Sequence, residues 1–293
     1  MMKILFFMDV YIFGGCEKML KETAEHLLAQ GHQVDLLLIY RSESNTYLNQ
    51  LDPRIGVKYI WDVDHKNNLV KRGVFWLNVL LPSVAASRVD VKGYDWVINF
   101  KDDYQTNLIA ARLGAKKISW IHNITEDYQP VRGNSIKYKA ADALYRKIND
   151  RYLRSFSRFD KVVCVSQHAQ STLEAHCPQP ISSTVIYNYV DFPAVSKLAQ
   201  QTVTDVSFDR FTYCYVGRLS AEKGVTELTE AACRLIRDGE NGFLVKDYEE
   251  LGRKMKYLYE NRAMKVQKAD HTWYCDFQNE FYRKLNELLN TEV

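Results

Sequence analysis

The feature that most constrains this chain is a repeated alternation. Short apolar runs of strand length are separated by stretches in which apolar residues recur every three or four positions. Residues 3–10, 33–40, 57–61, 96–100, 117–121, 161–166 and 184–188 read as strands. Residues 16–30, 67–87, 104–113, 136–156 and 167–175 read as the helices between them. The run Lys161-Val162-Val163-Cys164-Val165-Ser166 is apolar at consecutive positions rather than alternate ones. A strand of that kind is buried on both faces, as in a parallel sheet covered by helices on each side. Gly31 follows the first helical stretch at the position where a helix stops. The pattern therefore predicts a complete doubly wound, Rossmann-like α/β domain over residues 1–190. Its ligands are expected at the carboxyl ends of the strands.

The pattern changes after residue 190. Residues 191–209 are polar with no strong period and read as a linker. A second α/β series opens at residues 211–216 and continues through Gly217, Arg218 and a helix from Gly224. Only two strands fit between there and the chain end, at 211–216 and 242–245. Two short strands do not cover both faces of a parallel sheet. The second domain, residues 210–272, is thus expected to be truncated. Residues 273–293 are expected to form a helix packing back toward the first domain through Trp273, Phe277, Phe281 and Leu285.

Composition narrows the function. Hydrophobic residues make up 46% and charged residues 26% of the chain, which suits a packed globular core. A net charge of +3 gives no electrostatic case for nucleic acid. None of the six cysteines forms a CxxC or zinc-type spacing, and they read as reduced cytosolic thiols. The longest apolar run, residues 74–86, is interrupted by Asn78 and Pro82 and falls short of the ~18 residues of a spanning helix. The amino terminus meets Asp9 too soon for a secretory signal. The chain is expected to be cytoplasmic.

Several local signatures occur in a fixed order. They are Phe13-Gly14-Gly15-Cys16-Glu17-Lys18; Val163-Cys164-Val165-Ser166; Val185-Ile186-Tyr187-Asn188-Tyr189-Val190-Asp191; Val216-Gly217-Arg218-Leu219-Ser220-Ala221-Glu222-Lys223-Gly224; and Asp238-Gly239-Glu240-Asn241-Gly242. Together they resemble the family 4 (group 1) retaining glycosyltransferases of the GT-B fold. The resemblance implies transfer of a sugar, with retention, from a nucleotide diphosphate sugar to a glycan or lipid-linked acceptor. A role in cell-surface polysaccharide or lipopolysaccharide biosynthesis goes with it. The nucleotide sugar is a co-substrate, and no resident cofactor or metal is implied.

Two departures stand out. Ala231-Ala232-Cys233-Arg234-Leu235-Ile236 runs directly into Arg237-Asp238, where the family has a long stretch containing a Glu-x7-Glu pair that binds the donor. Asn188-Tyr189 stands where Asn-Gly is usual. The first reads as an internal deletion. It leaves open a catalytically dead binding or assembly protein as the alternative to an active enzyme.

The resemblance also assigns residues. Arg218 and Lys223, between a strand and a helix amino terminus, suit the charge that develops on the leaving diphosphate. Gly14 and Gly15 allow close backbone approach and positive φ, near the donor phosphates or the incoming acceptor. His122, after the strand 117–121, is the candidate at the catalytic centre. It is expected to position sugar or acceptor rather than act as base. Glu126 and Asp127 either orient an acceptor hydroxyl or cap the next turn. Lys101, Asp102 and Asp103 follow another strand end with the same ambiguity. Lys137, Lys139, Arg146, Lys147, Arg151 and Arg154 interleave with apolar residues along residues 136–156. They form either a patch that docks on anionic lipid headgroups or an ordinary solvated face. Lys71, Arg72, Phe75 and Trp76 make a second candidate patch.

Overall fold

A computed structural model of the chain describes residues 1–43, 45–63, 68–122, 135–201, 253 and 274–290. It divides into two units, residues 1–190 with 276–293, and residues 191–275.

The first unit is built on one seven-stranded parallel sheet in the order β3-β2-β1-β4-β5-β6-β7. The strands are β1 Lys3–Met8, β2 Gln33–Tyr40, β3 Gly56–Trp61, β4 Trp96–Asn99, β5 Lys117–Ile121, β6 Lys161–Cys164 and β7 Ser183–Val185. All six pairings are parallel. The chain steps outward from β1 to β3, then returns to lay β4 against the other side of β1. That reversal separates the loops after β1 and β4 and leaves a crevice at their carboxyl ends.

Side chains alternate across the sheet with the period of two that a strand dictates. Ile4, Phe6 and Met8 of β1 face one core, together with Trp96, Ile98, Ile118, Trp120 and Val163. Leu5 and Phe7 face the other, with Val97, Ile121, Val162 and Cys164. Each such fully buried side chain stabilises the fold by roughly 1.5–3 kcal/mol before conformational entropy is counted.

Helix α1, Gly15–Ala29, covers the first core through Met19, Leu20, Ala24 and Leu27. It stops where Gly31 adopts φ +82°, a left-handed conformation that a side chain would disfavour. On the second face lie α3 (Pro82–Ala86), α4 (Tyr104–Ala110), α5 (Ile136–Ser155) and α6 (Gln167–His176). The helix expected over residues 67–87 is two helices, α2 Asn68–Leu80 and α3. Pro82 disfavours helical backbone at Leu81 (φ −126°, ψ 55°) and then starts α3 at its first turn.

Helix α8, Tyr274–Asn290, lies on the first core with Phe281 and Leu285 fully buried. Trp96 Nε1–H donates to the Leu289 carbonyl at 3.0 Å, and Lys284 Nζ donates to the Val185 carbonyl at 3.1 Å. Trp120 and Tyr189 pack on the Phe281 ring at 5.7 and 5.0 Å between centroids.

In the second unit, α7 spans Phe192–Ala199. This helix falls within the segment 191–209 that the sequence reads as a linker. The expected strands 211–216 and 242–245 and the rest of the 210–272 domain lie outside the described residues. No described helix is long and apolar enough to cross a membrane. Cys16, Cys164 and Cys177 are free thiols.

Candidate active site at the carboxyl ends of β1, β4 and β5

The segment after β1 is pegged before it reaches α1. The Asp9 carbonyl accepts from the Ile39 amide at 3.1 Å. Tyr11 N–H donates to Asn45 Oδ1 at 2.8 Å, and Asn45 Nδ2 donates to the Tyr40 carbonyl at 3.1 Å. Tyr11 Oη–H donates to the Glu17 carbonyl at 2.9 Å, tying the segment to the first turn of α1. Phe13, 77% exposed, rests edge-on against Tyr47 at the mouth of the crevice.

Gly14 and Gly15 lie between these pegs and α1. Positive φ was expected here and does not occur: Gly14 has φ −170°, an extended conformation open to any residue. What Gly14 supplies is space, because a Cβ there would collide with the Glu17 carboxylate. A Cβ on Gly15 would meet nothing within 4 Å among the described residues.

A charged cluster not singled out as a unit from sequence sits beside this turn. Lys101, just past β4, places Nζ 2.8 Å from Asp9 Oδ1 and 3.8 Å from Glu17 Oε1. Burial pulls the Lys101 ammonium down, but Asp9 and then Glu17 outweigh it and hold it above the ordinary lysine range. Burial pushes the Glu17 carboxyl up, against the lowering pull of its own amide and of Lys101. The sequence signal for the cluster was polar residues immediately beyond two strand ends. Only the adjacency of β1 and β4 joins them.

Asp102 and Asp103 resolve the ambiguity of that strand end. Asp103 is the N-cap of α4, accepting from the Gln105 and Thr106 amides at 2.7 and 2.9 Å while Thr106 reaches back to the Asp103 amide. Burial raises its carboxyl. Asp102 accepts from the His122 amide at 3.2 Å. Burial pushes it up to about 7, and the bond from His122 opposes that shift.

His122, directly after β5, packs at a tilt of 56° against Phe100 at 4.8 Å and lies nearly parallel to Trp120 at 6.3 Å. Burial pulls its pKa down to about 4, so the ring is neutral at pH 7. Its Nε2 is buried and has no partner among the described residues. Phe100 links the two halves of the site, because its carbonyl accepts from Cys16 Sγ–H at 3.1 Å while its ring faces His122. Gly14, Gly15 and His122 thus belong to one edge of the sheet. Glu126, Asp127, Arg218 and Lys223 lie outside the described residues.

The basic helix is less cationic than its sequence suggests. Arg146 pairs with Asp142 at 2.7 Å and Arg154 with Asp150 at 2.8 Å, each one turn away. Arg151 donates to the Leu80 carbonyl at 3.3 Å. Lys137, Lys139 and Lys147 are exposed. Beside them Ile136 and Tyr138 are 85% and 49% exposed, with Leu80, Leu81 and Val84 exposed on α2, α3 and the residue between them. Trp76 meets Tyr145 at 5.8 Å, joining α2 to α5.

The profile of Glycosyltransferase Family 4 matches residues 13–192. No curated protein matches the chain. Among solved structures, sucrose-phosphate synthase from Thermosynechococcus elongatus is 14% identical, with 96% of this chain and 74% of that one covered and a TM-score of 0.49. Anabaena Alr3699/HepE, solved with UDP-glucose, is 19% identical over 92% of this chain and 70% of that one, with a TM-score of 0.47. UGT2 of Phytolacca americana is 14% identical over 92% and 73%, with a TM-score of 0.46.

Proposed function

The chain belongs to glycosyltransferase family 4, and on that premise we propose that it moves a sugar, with retention, from a nucleotide diphosphate sugar to a glycan or lipid-linked acceptor of cell-surface polysaccharide or lipopolysaccharide biosynthesis. The supporting observation is the edge formed by β1, β4 and β5. There a turn at Gly15 that is open among the described residues and a neutral His122, whose Nε2 has no partner among them, belong to the same carboxyl edge of the sheet. In the transfer, the bond from the anomeric carbon to the diphosphate oxygen breaks, its electron pair leaving with the diphosphate. The acceptor oxygen bonds to that carbon and gives up its proton to the departing diphosphate. A neutral imidazole suits holding a sugar hydroxyl there, because it both donates and accepts. Arg218 and Lys223 are assigned to the diphosphate, and Glu126 and Asp127 to the acceptor side.

The protein works in the cytoplasm, on the inner face of the membrane. Lys137, Lys139 and Lys147, with the apolar side chains around them, make the docking face for anionic lipid. The test is incubation of the purified protein with radiolabelled nucleotide sugars and a bacterial lipid extract. Label should pass to the extract with release of nucleoside diphosphate. Absence of both donor binding and transfer overturns the assignment.

The missing Glu-x7-Glu segment favours a second reading, in which an internal deletion in the second domain has left a non-catalytic binding or assembly protein. Donor or acceptor binding by calorimetry without any transfer is its signature.

A further inference from the structure

The turn at the start of α1 already carries negative charge. Glu17 lies in the first turn of the helix, only 4% exposed, with its carboxylate folded over Gly14. Asp9, the residue directly after β1, lies eight positions before it. A diphosphate approaching Gly14 and Gly15 would meet two carboxylates, and like charges at such distances repel strongly in a partly desolvated site. The structure supplies one side chain that faces both of them. Lys101 Nζ is 2.8 Å from Asp9 and 3.8 Å from Glu17. It arrives from a different strand, and its own carbonyl accepts from Thr106 Oγ1 at the start of α4, which fixes the direction of approach.

The remaining ionisable groups around this point do not replace it. Burial raises the Cys16 thiol and the Tyr11 and Tyr40 phenols, so all three are neutral at pH 7. His122 is neutral for the same reason, with its pKa pulled down. Asp102 and Asp103, on the same loop as Lys101, add negative charge when ionised.

We propose that Lys101 is a charge-compensating positioning residue: by neutralising Asp9 and Glu17 it allows the Gly14–Gly15 turn to accept the diphosphate of a nucleotide donor. This inference rests on the nucleotide-sugar reading above. It assigns Lys101 no contact with the reacting atoms. It predicts that the cation can be dispensed with when the carboxylates it neutralises are also removed, and that a folded variant lacking the cation alone loses nucleotide affinity, which a purely structural lysine would leave unchanged.

The experiment is calorimetric titration of the full chain with uridine, guanosine and adenosine diphosphates at pH 8. The wild type should bind at least one. Lys101→Met should bind that nucleotide at least tenfold more weakly. Lys101→Arg should recover most of the affinity, and Lys101→Met combined with Asp9→Asn and Glu17→Gln should recover it without any cation. If Lys101→Met does not fold, Glu17→Gln alone should tighten wild-type binding severalfold. Unchanged affinity in a folded Lys101→Met, or no recovery in the triple variant, overturns the inference while leaving the nucleotide-sugar reading intact. A wild type that binds none of the three nucleotides overturns both.

Discussion

Replacing Asn107 with alanine should cost this fold about 4 kcal/mol, although Asn107 is distant from any surface. The side chain is fully buried on α4. Its Oδ1 accepts from Asn99 Nδ2 at 2.9 Å and from Ser119 Oγ–H at 2.8 Å, bonding to β4 and β5. Its Nδ2 donates to Ser155 Oγ at 3.2 Å, bonding to α5. Truncation orphans two buried donors, on Asn99 and Ser119, at about 1–3 kcal/mol each. Ser155 loses less, because its hydroxyl still donates to the Tyr152 carbonyl at 2.6 Å. The small void left by the amide adds a further fraction of a kcal/mol. Urea unfolding followed by tryptophan fluorescence reads this unit well, since Trp61, Trp76, Trp96 and Trp120 of the five tryptophans lie in it. With a slope of about 2–3 kcal/mol per molar, the midpoint should fall by about 1.3–2 M at unchanged slope. Asn99→Ala in the same background should cost far less than it does alone, because its donor is already orphaned. A loss below about 1 kcal/mol for Asn107→Ala, or strict additivity with Asn99→Ala, would refute the account of α4 as held by a shared amide network.

Three further outcomes are expected. Asp102 has its folded pKa raised from 3.8 to about 7, so the native state holds a proton that the unfolded state releases. Its contribution is therefore present below about pH 4 and is lost as pH rises toward 7. The stability of the wild type relative to Asp102→Asn should decline across that window in a pH series of thermal melts, and a rise instead would contradict the burial argument. Gly15→Val should leave the melting temperature within about 2 °C, since none of the described residues lies near its Cβ, yet weaken nucleoside diphosphate binding; equal affinity would remove Gly15 from the site. Phe281→Ala should destabilise by about 3–5 kcal/mol in the same urea assay, because the ring is buried against Trp120 and Tyr189; a loss under about 1 kcal/mol would mean α8 adds little to the core.

The strands and helices of the first unit were legible because each carries its own local signal. Gln33–Tyr40 and Lys117–Ile121 fall where the apolar runs placed them, and α1, α4, α5 and α6 begin within a residue of expectation. The misreading at Pro82 had a local cause, since apolar period runs through residues 67–87 while the restriction a proline places on its predecessor outweighs it. The helix at Phe192–Ala199 was missed because eight residues are too few to establish a period. Of the candidate site, His122 and the Gly14–Gly15 turn were visible as residues at the ends of strands. The expected positive φ was not realised, because the turn reaches α1 through an extended Gly14.

Sequence periodicity alone determined the class of this protein: which segments are strands, which are helices, and that the sheet is covered on both faces. It did so because burying alternate or every third or fourth side chain is a property of neighbouring residues. The tertiary structure alone decided which strand ends meet. Asp9, Glu17 and Lys101 form one cluster only because β4 returns to pair with β1. Ion pairs and hydrogen bonds act over a few ångströms, and no spacing along the chain records which distant segments the sheet will bring that close.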